Sequence, residues 1–212
     1  MTFQLDRRTF LTATLAGGAA FAGGAALVAG PALAAPDPMS KEAVLYDPEA
    51  PVLGNPKGDV TIVEWFDYQC PYCKKAYPEI QEIVEADGRI RMVMKDWPIF
   101  GPPSEYATNL TLAAGKHRPQ ALDALMRTEG RLTDQMIDER LTAAGFDVAA
   151  LKRAHQREKG RIDALIARNA AQAEAFGFLG TPAYIVGTVV FPGVPSMADF
   201  RQAIADARAK SG

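Results

Sequence analysis

The sequence predicts an α/β fold in which a βαβ half and a ββα half are separated by a helical insertion. Three observations predict this layout. Two β-branched and apolar runs flank a helical pattern between residues 60 and 95. Residues 102–177 are dominated by helix-forming residues, and strand-like runs followed by a final helix return after residue 180. The first strand–helix–strand order is typical of a parallel strand pair.

Composition narrows the class of protein. The 212 residues include 23 Lys and Arg against 25 Asp and Glu, a formal net charge of −2, and 48% of them are hydrophobic. Such a chain is globular rather than disordered, and it shows no basic excess that would indicate a nucleic-acid partner. Two cysteines are too few for a disulfide framework or a four-cysteine zinc site. We predict no metal and no cofactor.

The first 34 residues are predicted to be an export signal cleaved after Ala34. Arg7 and Arg8 precede a long apolar run rich in Ala and Gly, and small residues mark the cleavage site. The segment resembles a twin-arginine export signal. The alternative is a membrane anchor over residues 9–29, which are just long enough to span a bilayer but only mildly apolar. Export would place the chain in the periplasm or another extracytoplasmic, oxidising compartment.

Local signals predict the elements of the first half in order. Residues 35–58 are rich in Pro, Gly and Asp and are predicted to be an irregular lead-in. Residues 60–66 are β-branched and aromatic and predict a buried strand. A helical pattern over residues 74–86 ends at Gly88, and residues 90–95 predict a second strand. Residues 59–101 therefore form the first half of the α/β domain.

The helical insertion is predicted over residues 102–177. Turn signals at residues 115–119, at Gly130 and at Gly145 divide it into several helices. Thr133 and Asp147 are placed to cap two of them.

The second half of the α/β domain is predicted over residues 178–212. Two apolar runs at residues 183–186 and 189–191 flank Gly187-Thr188, a two-residue hairpin signal. Ser196 then caps a final helix. This is the layout of a thioredoxin fold with a helical domain inserted between its two halves.

A Cys-Pro-Tyr-Cys motif lies where the first strand gives way to the helix. Pro71 suits the first turn of a helix, because its missing N–H would be unpaired there anyway. Cys70 would sit at the helix N-terminus, where free N–H groups and the helix dipole favour a thiolate and lower the thiol pKa. Cys73 would lie one turn further on, close enough to resolve a mixed disulfide on Cys70.

Three other interpretations of the cysteine pair remain open at this point. A structural disulfide closing so short a loop would constrain the unfolded chain little. A metal site would need further ligands, and the two histidines, His117 and His155, lie in the helical insertion. The cysteines could also be two unrelated buried thiols. A Cys-x-x-Cys at the end of a strand in a βαβ unit favours redox chemistry over all three.

Residues 63–73, Val-Glu-Trp-Phe-Asp-Tyr-Gln-Cys-Pro-Tyr-Cys, resemble the active-site segment of DsbA-like thiol–disulfide oxidoreductases. Within that family they are most similar to the subgroup that includes Com1-type outer-membrane proteins. Residues 180–182, Gly-Thr-Pro, resemble the family's cis-proline loop, and the helical insertion lies where the family carries one. The resemblance implies a thioredoxin fold, an extracytoplasmic location and disulfide exchange with other proteins.

The resemblance also implies roles for residues outside the motif. Glu64 matches a buried acid beneath the resolving thiol of Cys73, and Lys95 matches a strand lysine that can pair with that acid. Pro182 matches the cis-proline that packs against the disulfide, with Thr181 before it. A carboxyl at the end of an apolar strand should be desolvated, which raises its pKa and suits it to proton transfer. The alternatives are solvated strand-end charges at Glu64 and Lys95.

Two departures from the family pattern indicate a milder oxidant. Tyr72 stands where the best-known oxidases have a histidine that stabilises the thiolate. Thr181 resembles the residue of isomerases and reductases more than the valine of the strongest oxidases. Tyr72 and Tyr68 are also candidates for an apolar surface that receives unfolded substrates.

The sequence therefore predicts an exported, monomeric enzyme that introduces disulfides into thiol-containing exported proteins. A membrane redox partner would reset the Cys70–Cys73 pair. A disulfide reductase or isomerase is the alternative enzyme, and a Cu(I)-binding thiol protein is the alternative of another class.

Overall fold

A computed structural model describes residues 37–211 as a five-stranded mixed sheet flanked by helices. The strands are β1 (Val52–Gly54), β2 (Val60–Phe66), β3 (Ile90–Asp96), β4 (Ala183–Val186) and β5 (Val189–Phe191). The helices are α1 (Lys41–Leu45), α2 (Pro71–Asp87), α3 (Pro102–Ala113), α4 (Arg118–Met126), α5 (Asp134–Ala143), α6 (Val148–Ala175) and α7 (Met197–Ser211), with a 3₁₀ turn at Gly115–His117. The predicted α/β class with a thioredoxin-like arrangement is confirmed.

The sheet has the order β1-β3-β2-β4-β5. β2 and β3 are parallel and joined through α2, which confirms the βαβ unit. β4 runs antiparallel to β2 and forms the predicted hairpin with β5. The hairpin turn needs Gly187, whose φ is +59° and where a Cβ atom would lie 2.7 Å from the Cβ of Ala207. α7 thus packs closely over the turn.

The two faces of β2 belong to different cores, because side chains alternate across a strand. Ile62 and Phe66 face a core shared with α2, α7 and the first helices of the insertion. Val63 and Trp65 face a second core that also includes Val44 of α1. The sheet therefore separates the face that carries α2 from the face that carries α1.

The helices α3 to α6 fall within the predicted insertion. The Thr133 hydroxyl oxygen accepts from Met136 N, and an Asp147 carboxylate oxygen accepts from Ala150 N, so both predicted caps are confirmed.

Helix α6 is 28 residues long and reaches from the insertion back to the sheet. Ile162 and Leu165 pack against the end of α3, while Asn169 O accepts a hydrogen bond from Trp65 Nε1 at 3.0 Å. Asn169 Nδ2 also donates to Asp96 O at 3.1 Å. One continuous helix therefore contacts both parts of the molecule.

The lead-in predicted as irregular contains two short elements, so that prediction is wrong for residues 37–58. Ser40 caps α1 by accepting from Ala43 N at 3.2 Å, and β1 pairs antiparallel with the outer edge of β3. Elements of five and three residues are too short to show a hydrophobic period. β1 forms because the edge of β3 provides its backbone partners, and α1 forms where Val44 packs against Val63 and Trp65 on one face of the sheet.

The predicted export signal over residues 1–34, and the alternative anchor over residues 9–29, lie outside the described residues. Within residues 37–211, the structure contains no helix that is both long enough and apolar enough to span a membrane.

Candidate active site

Cys70 is the N-cap residue of α2. Its backbone is extended, with φ −70° and ψ 116°, and its Sγ accepts a hydrogen bond from Cys73 N at 3.4 Å. Pro71 occupies the first helical position, where a missing N–H costs nothing. Both cysteines are present as free, buried thiols. The motif therefore lies at the helix start that the sequence predicted.

The two thiols differ in the direction of their pKa shifts. A hydrogen bond from the Cys73 side chain, assisted by the backbone N–H groups of Cys73 and Tyr72, lowers the pKa of Cys70 from 9.0 to about 6 against the effect of burial. Burial raises the pKa of Cys73 well above 9.0. At neutral pH the pair therefore holds one thiolate at Cys70 and one proton at Cys73, which supports Cys70 as the attacking sulfur.

The loop before β4 lies directly against Cys70. The Thr181–Pro182 peptide bond is cis, as the resemblance implied. Cys70 Sγ lies 3.1 Å from the carbonyl oxygen of Thr181, to which it donates only in the protonated form. The two segments meet across a sequence separation of 111 residues, because β4 pairs with β2 immediately before the motif.

Glu64 is a fully buried acid on the same face of β2 as Ile62 and Phe66. Tyr184 donates a hydrogen bond to its Oε1 at 3.1 Å, while Oε2 has no hydrogen-bond partner. Burial raises the pKa of Glu64 from 4.5 to about 8. The predicted burial and raised pKa are confirmed, and a role in proton transfer with Cys73 stays a prediction.

Lys95 does not pair with Glu64, so this prediction is wrong. In the β2–β3 register Glu64 lies beside Met94, and the next residue of β3 points to the opposite face. Lys95 is fully buried there, and its Nζ lies 3.2 Å from Asp47 Oδ2 and 3.2 Å from Ala43 O. The sheet therefore separates the lysine from the acid that the resemblance assigned to it.

Asp67, which sequence reasoning missed, ties the active-site turn to the loop after β3. One carboxylate oxygen accepts from Ile99 N at 2.7 Å and Phe100 N at 3.0 Å. The other accepts from Ser104 Oγ at 2.6 Å and from Gln69 N at 2.6 Å. The available signal was an Asp in the turn between strand and motif, a position where its side chain binds nearby backbone N–H groups.

Gln69, also missed, connects the motif to the loop between α4 and α5. Its side-chain amide donates to Leu132 O at 2.8 Å and accepts from Leu132 N at 2.8 Å. One turn into α2, Lys74 Nζ donates to Gly130 O at 2.8 Å. The start of α2 is thus held against the helical insertion from two positions.

The aromatic residues near the motif divide into core and surface. Tyr68 is fully buried and donates to Thr111 Oγ1 at 2.9 Å, so its predicted place on a substrate-receiving surface is wrong. Tyr72 is 65% exposed. Leu179, two residues before Thr181, is 100% exposed, and Phe100 is 41% exposed. Tyr72 lies at the start of α2, Phe100 in the loop after β3 and Leu179 in the loop before β4. These are the three segments that the site brings together.

Among the described residues, no group of three or more His, Cys, Asp or Glu side chains is arranged to hold a metal ion.

Comparison with known proteins places these residues in a family. Residues 47–206 match the sequence model of a family described as Thioredoxin. A thioredoxin-like oxidoreductase from Silicibacter pomeroyi is 37% identical and superimposes with a TM-score of 0.76, over 80% of this chain and 98% of that one. A periplasmic thioredoxin-like protein from Salmonella enterica serovar Typhimurium is 26% identical, with a TM-score of 0.66 over 79% of this chain and 95% of that one.

Two further similarities are more distant or partial. The thiol–disulfide exchange protein α-DsbA2 from Wolbachia pipientis shares the fold at 24% identity, with a TM-score of 0.73 over 78% of this chain and 90% of that one. The Na⁺/H⁺ antiporter NhaA 1 of Salinispora arenicola is 26% identical over 139 residues, which are 64% of this chain. The match spans only 21% of that antiporter. The family match covers the Cys-Pro-Tyr-Cys motif, the cis-proline loop and all five strands of the sheet. The chain therefore belongs to the thioredoxin family.

Proposed function

We propose that this chain is an extracytoplasmic thiol–disulfide oxidoreductase that introduces disulfides into exported proteins through Cys70 and Cys73. The observation that carries the proposal is the unequal environment of the two sulfurs. Cys70 is hydrogen-bonded at a helix start and has a lowered pKa, whereas Cys73 is buried and has a raised one. This asymmetry suits one sulfur to exchange with a partner and the other to resolve the intermediate.

The first chemical step forms a mixed disulfide. A substrate thiolate attacks Cys70 Sγ of the oxidised pair, so that the Cys70–Cys73 bond breaks and a bond from Cys70 to the substrate forms. Cys73 leaves as a thiolate and takes up a proton, because its environment favours the neutral thiol. Glu64, whose pKa is about 8, is a buried acid that can supply this proton.

The second step releases the product. Another thiolate of the substrate attacks the substrate sulfur of the mixed disulfide and forms the new substrate disulfide. Cys70 leaves as a thiolate, and its lowered pKa makes it a good leaving group. Two electrons have then passed from the substrate dithiol to the Cys70–Cys73 pair, which a redox partner in the membrane must reoxidise.

The surroundings of Cys70 favour a polypeptide as substrate. The Thr181 backbone lies beside the sulfur, where an extended peptide can pair with it as an added strand. Exposed Tyr72, Phe100 and Leu179 provide apolar surface for an unfolded chain.

The stability of the Cys70 thiolate also indicates the direction of electron flow. A stabilised Cys70 thiolate favours the reduced protein, which makes the oxidised protein an oxidant. Thr181 favours the second candidate, a reductase or isomerase, because it resembles the residue that those enzymes carry. The Cu(I)-binding alternative has less support, because a copper ligand must be deprotonated and burial keeps Cys73 protonated.

The proposed location has two supports. Residues 1–34 resemble a twin-arginine export signal. The similar protein from Salmonella enterica serovar Typhimurium is described as periplasmic. The resemblance of the motif to the Com1-type subgroup, and a monomeric state, are part of the same proposal.

The redox state of the pair in cells tests the proposal. Thiols are alkylated in intact cells with a mass-adding maleimide, with the Cys70→Ser variant as the control that identifies the signal. An oxidase keeps Cys70 and Cys73 mostly oxidised. A mostly reduced pair would contradict the oxidase and favour the reductase or isomerase, and a pair that never exchanges with dithiols in vitro would contradict both.

A further inference from the structure

A groove of about 600 Å³ runs beside the first two turns of α2, and Gln69 and Pro71, the two chain neighbours of Cys70, line it. Pro71, Lys75 and Pro78 line it from α2, and residues 127–131 line it from the loop after α4. The hydrogen bonds of Gln69 with Leu132 and of Lys74 with Gly130, described above, hold the two walls together. The groove is thus part of the built structure around Cys70.

The groove concentrates positive charge on a chain whose formal net charge is −2. Four cationic residues line it, against one acidic residue: Lys74, Lys75, Arg127 and Arg131 against Glu129. Arg127 is already paired with Asp123 at 2.7 Å. Lys75 and Arg131 are exposed and make no ion pair within the described part of the chain. The groove therefore holds cationic charge that its own acidic groups do not balance.

Lys74 adds a further cationic group to the wall of the groove. Its side chain is only 8% exposed, and its ammonium group donates to one backbone carbonyl, that of Gly130. An ammonium group has three N–H donors, so it can bind more than one acceptor. Burial lowers the pKa of Lys74, and the Asp67 carboxylate and the Cys70 sulfur already oppose this effect by favouring the charged form. A carboxylate entering the groove would pair with this charge.

We infer that the groove binds an acidic segment of the polypeptide whose cysteine exchanges with Cys70. This inference rests on the proposed function and adds a substrate preference to it. Carboxylate groups would interact with Lys75 and Arg131 at the rim and approach Lys74 at the wall. Because rim charges act mainly on encounter, the preference should appear chiefly as a faster association step.

The length of the groove sets the position of the acidic residue. From Pro71 to Pro78 the helix advances about 10 Å, at about 1.5 Å per residue. An extended peptide covers the same distance with about three residues, at about 3.3 Å each. The preferred substrate therefore carries Asp or Glu within about three residues of its reacting cysteine.

The test measures exchange between the oxidised protein and short peptides that each carry one cysteine. One pair of peptides has Glu or Gln three residues before the cysteine, and the other has Glu or Gln three residues after it. We expect the Glu peptide of one pair to react about threefold to fivefold faster than its Gln partner. The advantage should shrink in 1 M NaCl, where charges are screened within about 3 Å.

Charge reversal on the groove supplies the matched variant. The double variant Lys75→Glu, Arg131→Glu should lose the Glu preference or invert it. The control Lys116→Glu, Arg201→Glu changes the net charge equally at exposed residues that do not line the groove, and it should keep the preference. Comparing the Glu-to-Gln ratio within each variant cancels any general effect on the thiol.

Several outcomes would overturn the inference. Equal rates for the Glu and Gln peptides, or a preference that survives charge reversal of the groove, would do so while leaving the proposed function intact. A preference for mercaptosuccinate over thioglycerol without any preference among peptides would show that the groove serves small acidic thiols instead. Failure of every peptide and of dithiothreitol to exchange with Cys70 would overturn the proposed function as well.

Discussion

Residue by residue, the site differentiates two cysteines that lie three positions apart. Cys70 accepts hydrogen bonds at the start of α2, whereas Cys73 lies beneath it in the core with the buried Glu64 on the same side of the sheet. The helix start is available to only one of the two sulfurs, so identical side chains acquire opposite pKa shifts.

The reactivity of Cys70 should follow its lowered pKa. In the reduced protein, the rate of alkylation by iodoacetamide should rise with pH with a midpoint near 6, because the thiolate is the reactive form. The Cys70→Ser variant, which retains Cys73, should react slowly throughout. A wild-type midpoint above pH 8 would show that the hydrogen bonds around Cys70 do not stabilise the thiolate.

The two single variants should differ in trapping. Cys73→Ser leaves Cys70 able to attack but unable to be released, so mixed disulfides with substrate proteins should accumulate. Cys70→Ser should trap few, because Cys73 is buried. Non-reducing gels of cell extracts measure both, and equal trapping by the two variants would contradict the assigned roles.

Glu64 should make stability depend on pH. Folding raises its pKa from 4.5 to about 8, so the folded protein keeps a proton that the unfolded chain releases between those values. Stability therefore falls as the pH rises from about 4.5 to about 8. Glu64→Gln should increase the free energy of unfolding by roughly 2–3 kcal/mol at pH 7, and by little at pH 4.

Urea unfolding of the reduced protein at both pH values measures this effect. Glu79→Gln, which removes an exposed carboxyl from α2, is the control and should change neither value appreciably. An equal effect of Glu64→Gln at pH 4 and pH 7 would show that the benefit comes from packing and not from the proton.

The sequence could predict Glu64 but not the partner of Lys95. Burial of an acid within the apolar run of β2 was the favoured expectation whatever the register, because the run itself predicts burial. Whether Lys95 shares its face depends on how β3 is aligned with β2, and a shift of one residue reverses the answer. The long-range contacts of Asp67 with Ile99 and of Gln69 with Leu132 were missed because these partners lie 32 and 63 residues away in the sequence.

At the scale of secondary-structure elements, the short α1 and β1 are important because they position the partners of a buried charge. They place Asp47 and Ala43 O beside Lys95, which would otherwise be an unpaired charge on the face of the sheet that α1 covers. Burial opposes ionisation of Asp47, but the hydrogen bonds of Arg168 and the charge of Lys95 keep its pKa below the ordinary value. A lysine inside an apolar strand was the signal that a carboxylate had to be near it.

Breaking this pair should be costly. Asp47→Ala leaves the fully buried Lys95 without a carboxylate, and we expect a loss of about 3–5 kcal/mol in the free energy of unfolding. Asp163→Ala removes an exposed partner of Lys159 and is the control, with a much smaller expected loss. Chemical denaturation compares the two, and similar losses would show that the segment containing α1 and β1 does not depend on the ion pair.

At the scale of the whole molecule, the active site is assembled from parts that are distant in the chain. β2 ends at the motif, β4 begins at the cis-proline loop, and the insertion contributes the loop that contacts Gln69. The order of these parts was predictable from periodicity and turn signals. Their contacts were not, since they depend on sheet order and on packing between segments more than 60 residues apart.

The assembled site should have an intermediate redox potential. The stabilised Cys70 thiolate favours the reduced form, while Tyr72 supplies no charge to stabilise it further. We expect a value between about −120 and about −230 mV at pH 7 in a glutathione equilibrium titration. A value near −270 mV, typical of a reductant, would argue against the proposed oxidase.

Helix α6 has a consequence for changes in chain length. It runs without a break from the insertion to Asn169. The contacts of Asn169 with Trp65 and Asp96 form only when this face of α6 is turned toward the sheet. Each residue of an α-helix turns the chain by about 100°, so deleting one residue near Gly160 would swing the Asn169 side away from the sheet. Removing seven residues would restore the rotation to within about 20° and shorten the helix by about 10 Å. Insertions and deletions in homologous α6 helices should therefore favour changes of about 7 or about 11 residues, which keep the rotation within about 20°, over changes of one or two residues.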